Sequence, residues 1–182
     1  MLLLIFLIII ILVVIGLLRK SKVDYHSHWS QLIPSFLFST KEFYELVKKE
    51  MESHDIQGLN FEEVSLKIGN AFSSERLYLR VSWKDYYYDV CFAPFGDGCF
   101  VSWWLLFKSS DAEDFFTKMP LIGILIKNAF FRKTYYQIDT ASMFMTYAQK
   151  SVMAVIDEIT KNTGIRIDES DRKPIMNNIF IR

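Results

Sequence analysis

The chain has 182 residues, enough for one folded domain with attachments. Its 51% hydrophobic and 16% aromatic content excludes a disordered chain, which lacks the apolar surface to offset ordering entropy. Basic and acidic residues balance at 21 each, which argues against a general nucleic-acid binder, and two cysteines are too few for a disulfide scaffold.

Leu2 to Leu18 is a run of 17 apolar residues without a charge. As a helix it reaches about 25 Å, close to the hydrocarbon thickness of a bilayer. Leu2, Phe6, Ile10, Val14 and Leu18 mark its length as an expected membrane anchor over residues 1–20. A cleaved signal peptide fits less well, because no basic residue precedes the run and no small-residue cleavage site follows it. A buried core helix is a third reading, disfavoured by apolar residues on every face. Arg19, Lys20 and Lys22 follow the run, so the positive-inside rule predicts a single-pass protein with residues 19–182 in the cytoplasm. Cys91 and Cys99 would stay reduced there.

Residues 21–38 read as a juxtamembrane connector, with Tyr25 and Trp29 suited to the bilayer surface. The soluble domain is expected over 39–182. Ser39 and Glu42 have the spacing of a capping box, and Phe43, Leu46, Val47 and Met51 give the following helix one apolar face.

Residues 60–108 are rich in strand signals. Val64, Leu66 and Ile68 alternate with polar residues, as do Leu77, Leu79, Val81 and Trp83. A two-residue turn at Lys84-Asp85 would pair Trp83 with Tyr86 and Arg80 with Asp89, setting opposite charges side by side on the outer face. Tyr86, Tyr88, Val90 and Phe92 then face inward, and Cys91 and Cys99 fall on opposite faces. Pro94 to Gly98 is the next turn, and Cys99 to Phe107 the returning strand. The outer face of this meander carries Tyr87, Trp104 and Leu106 and is more apolar than water alone favours.

The apolar run 119–131 is too short to span a bilayer and is bracketed by Lys118, Lys127, Arg132 and Lys133. It reads either as a membrane-surface segment, those cations meeting anionic headgroups beside Arg19, Lys20 and Lys22, or as a buried core helix with solvated ends. Thr134 to Ile138 suggests a further strand. Asp139 or Thr140 would cap a last helix packed by Ala141, Phe144, Met145, Ala148, Val152, Val155, Ile156 and Ile159. Gly164 suits its C-terminal end. The expected fold class is α+β: one N-terminal transmembrane helix, then an antiparallel sheet of about four or five strands packed by N- and C-terminal helices.

His26 and His28 are too few for a zinc site, and Gly96-Asp97-Gly98 is ordinary turn chemistry. No phosphate-binding loop, nucleophile elbow, zinc-protease helix or kinase signature occurs. The sequence therefore predicts no cofactor, no metal, no nucleic-acid partner and no enzymatic activity. It points to a membrane-anchored subunit or adaptor in contact with membrane lipid, binding a protein through Tyr87, Trp104 and Leu106. A lipid or apolar-ligand binding domain is the alternative.

Overall fold

The computed structural model describes residues 25–67, 75–108 and 134–177. The anchor residues Leu2, Phe6, Ile10, Val14 and Leu18 lie outside these, as do Arg19, Lys20, Lys22, Lys118, Lys127, Arg132 and Lys133. Among the described residues no helix is long and apolar enough to cross a membrane.

The fold is α+β. In chain order the elements are β1 (Tyr25–Ile33), α1 (Thr40–Glu52), β2 (Asn60–Lys67), β3 (Glu75–Trp83), β4 (Tyr86–Phe95), β5 (Gly98–Phe107), α2 (Tyr135–Thr160) and β6 (Ile175–Met176). The strands make one antiparallel sheet in the order β2-β3-β4-β5-β1-β6. Strands β2 to β5 are the expected meander, with Trp83 opposite Tyr86 and Arg80 opposite Asp89.

Both helices pack on one face of the sheet. Alternation decides which residues meet them: Leu79, Val81, Tyr88, Val90, Phe92, Val101, Trp103 and Leu105 are fully buried there with Phe43, Val47 and Met51 of α1 and Ala148, Val152 and Ile156 of α2. Phe43 stacks on Phe92 at 4.2 Å between ring centroids. Tyr44 of α1 carries the less obvious contact. The β3–β4 ladder runs only from Leu79 and Val90 to the turn. Beyond it the Tyr44 hydroxyl bridges the two strands, donating to Leu77 O at 2.9 Å and accepting from Phe92 N at 3.2 Å. A backbone bond lost to strand splay is thus replaced by a side chain.

Three sequence expectations give way, the first being the strand count: the sheet has six strands rather than four or five, because β1 and β6 add to the meander. Residues 25–33 are not part of a connector. They form β1, which pairs with Cys99 to Leu106 of β5, and Trp29 is buried in the core rather than set at a bilayer surface. The periodicity was masked by a register shift between Tyr25 and Ser27, which breaks the alternation of YHSHWSQLI. Thr134 to Ile138 is not a strand. Thr134 caps α2 with a reciprocal capping box to Gln137, five or six residues before the expected start. At α1 the Ser39 side chain accepts from Glu42 N as expected.

Candidate functional site on the outer face of the sheet

The face away from the helices is built by alternation from β4, β5 and β1. Register sets Tyr87 directly opposite Leu106, and Trp104 between Asp89 on one side and His28 on the other. The three residues expected to bind a partner are thus brought together, and each is partly exposed.

The structure adds members that sequence reasoning missed. His28 stacks on Trp104, with centroids 4.5 Å apart and planes 10° from parallel. Tyr25 meets the same indole edge-on at 5.3 Å. These two come from β1, so a connector reading conceals them. On the other flank the Arg80 guanidinium lies 4.5 Å from the Tyr87 ring centroid and the Lys108 ammonium 4.8 Å from it. Both distances are within cation–π range. Arg80 is fixed by a bidentate pair with Asp89, both bonds at 2.7 Å. That pairing raises the Arg80 pKa further and gives the buried Asp89 carboxylate its compensating charge.

Among the described residues no group of three or more His, Cys, Asp or Glu side chains is placed to hold a metal ion. Cys91 is buried, and burial pushes its thiol pKa up, away from the reactive thiolate. Cys99 lies on the inner face, likewise buried, its thiol also raised by burial, so the cysteines sit on opposite faces as expected. His26 and His28 diverge too. His26 turns toward α2, where its Nε2 is 3.2 Å from Ser142 Oγ, while His28 stays on the outer face. The pair cannot ligate one ion. His28 Nδ1 is buried without a hydrogen-bond partner.

Further along this face, at the β4–β5 turn, lies a cleft of about 340 Å³ lined by Leu32, Arg76, Ala93, Pro94, Phe95 and Phe100. A larger depression of about 770 Å³ lies on the helical layer, along Glu50, His54, Met143, Tyr147 and Lys150. Its hydroxyl groups are already engaged within the helices. Ser142, Thr146 and Ser151 hydroxyls donate to carbonyls four residues back, and Tyr147 donates to Met51 O at 2.5 Å. Burial lifts the Tyr147 pKa to about 12. That surface offers a ligand little, so the sheet face is the better candidate.

No protein-family model matches the chain, and no curated protein matches it. A solved structure with some likeness is that of TTHA0849 from Thermus thermophilus, at 14% identity over 76% of this chain and 98% of that one, with a TM-score of 0.27. At that score the superposition carries no structural argument.

Proposed function

We propose that this chain is a non-enzymatic, membrane-anchored subunit or adaptor whose domain, on the cytoplasmic side, binds a protein partner through the outer face of its sheet. The apolar run Leu2–Leu18 and the cations after it support the anchor and its orientation. The observation that carries the binding role is Trp104. It is a partly exposed indole stacked on by His28 and met edge-on by Tyr25, adjoining the Tyr87–Leu106 pair, with Arg80 and Lys108 at the rim. Rigid aromatics with cationic borders are the usual anchors of protein interfaces, since little side-chain entropy is lost on binding.

Full-length chain purified in mild detergent from its host tests this. Wild type should retain a stoichiometric protein partner, and Trp104→Glu should lose it by at least about tenfold, the cost of truncating one strong interface anchor. Because Glu at 104 would stand opposite the buried Asp89, the neutral Trp104→Gln is the paired variant, which should lose the partner likewise while melting close to wild type, since Trp104 is outside the core cluster. A partner retained undiminished by folded Trp104→Glu would overturn the proposal. One observation favours the second reading, an amphipathic ligand: the cleft at Leu32, Phe95 and Phe100 has the Arg76 cation at its wall. Lipid in the eluate without protein, removed by Arg76→Gln, would select it.

A further inference from the structure

The strands of the meander run alternately between two ends of the sheet, and the ends differ. At one end lie the Lys84-Asp85 turn, Phe107, and Tyr25 opposite Leu106. The N-terminal turn of α2 is fastened there, because the Tyr86 hydroxyl donates to Gln137 O at 2.7 Å. The C-terminal strand arrives at the same end, where Asn177 donates to His26 O and Tyr25 O, both at 2.9 Å. At the other end lie the Gly96-Asp97 turn, Phe95 and the start of β3.

The first end is where the apolar run would enter the domain. Six residues separate Leu18 from Tyr25, and the seven Cα-to-Cα steps between them reach at most about 25 Å even when fully extended. Lys108, Thr134 and Asn177, which border segments 109–133 and 178–182, lie at this end, whereas Lys67 and Glu75, which border 68–74, lie at the other. Its surface is suited to an interface. Tyr136 is 74% exposed and Met176 51%, Lys84 and Asp85 are exposed, and Lys108 is partly so. Amphipathic rings and snorkelling cations are favoured at the headgroup level, whereas a tyrosine so exposed gains nothing from water.

We infer that this end of the sheet, through Tyr136, Met176, Lys84 and Lys108, rests on the headgroup–acyl boundary of the bilayer. The inference deepens the anchored reading and rests on it. It fixes the domain's posture: strands stand up from the membrane, and the Trp104 face is turned sideways, toward a neighbour in the same membrane. The β4–β5 turn is held away, since the ten residues of β4 span about 30 Å.

The test uses the full chain in vesicles of phosphatidylcholine and phosphatidylglycerol doped with lipid carrying a nitroxide near the top of its acyl chain. A thiol-reactive fluorophore is placed by Tyr136→Cys, by Met176→Cys as a second reporter, and by Phe95→Cys at the far end. All three side chains are exposed and both native thiols are buried, so folding and labelling are preserved. The expected result is strong quenching at 136 and 176 and several-fold weaker quenching at 95. Equal quenching at all three, or strongest quenching at 95, overturns the posture while leaving the anchor intact. A chain that fails to float with vesicles overturns the anchor, and the posture with it.

Discussion

His26 has both ring nitrogens engaged in a buried setting: Nδ1 lies 3.1 Å from Ser27 Oγ, Nε2 lies 3.2 Å from Ser142 Oγ, and the Phe107 ring stands beside it. Burial lowers its pKa from the ordinary 6.5. The neutral ring is therefore the form that the fold accepts. The unfolded chain takes up a proton first as pH falls, so this residue's contribution is fully present above 6.5 and is lost as pH drops through the lowered folded value. Melting temperatures taken from about pH 7 down to about pH 5 should decline more steeply for wild type than for His26→Asn, which cannot charge. Parallel declines would remove His26 from the account. Arg80 and Asp89 make the contrasting case. Their pairing was legible in the sequence, because a two-residue turn and clean alternation dictate the register. His26 was not legible, because the register shift beside it turns it to the helical face against the strand's period.

Among the elements, α1 and α2 were legible from their apolar stripes, and the meander from its alternation. The strand β1 was hidden by its shifted register and by the apolar run before it, which invites a connector reading. Its placement also explains Gly98. A Cβ there would stand 2.3 Å from Ile33 O and 3.1 Å from the Pro34 Cα, so the last residue of β1 can approach β5 only because Gly98 has no side chain. Neither neighbour is a flexible side-chain tip, so β1 or β5 must shift. Gly98→Ala should lower stability by about 2 kcal/mol, an ordinary cost of overpacking, in thermal or urea unfolding of the detergent-solubilised chain. Gly96→Ala is the comparison. It has open space and only the strain of φ +63, worth about 1 kcal/mol. If Gly96→Ala proved the more damaging, backbone conformation rather than the approach of β1 would govern this corner.

For the molecule as a whole, α+β class and one layer of helices on one antiparallel sheet follow from composition and periodicity, whereas the closing of the sheet does not. The tail after α2 lacks a strong period, yet it is fastened across the fold. Ile167 enters the core, and Trp29 donates to Asp171 O at 2.5 Å. Arg172 pairs with Asp157 through bonds of 2.8 and 2.6 Å, and β6 adds to β1 at Ser27 and His28. These contacts are long-range and individually small, which is why no local pattern announces them. Of these, β6 with Asn177 covers the first residues of β1, which would otherwise be a bare edge, the kind of strand that recruits another chain. A chain ended after Gly164 loses all of these contacts. It should be less stable by about 3 kcal/mol or more, from the lost burial of Ile167 and the orphaned Trp29 donor. Its light-scattering mass in detergent should also rise with concentration as β1 edges pair. A chain ended after Pro174 keeps Ile167, Asp171 and Arg172 and loses only β6, so it should melt nearly as wild type while showing the same self-association in weaker form. If the Gly164 truncation stayed at wild-type mass and melted unchanged, the tail would be an ornament on a sheet already complete at β1.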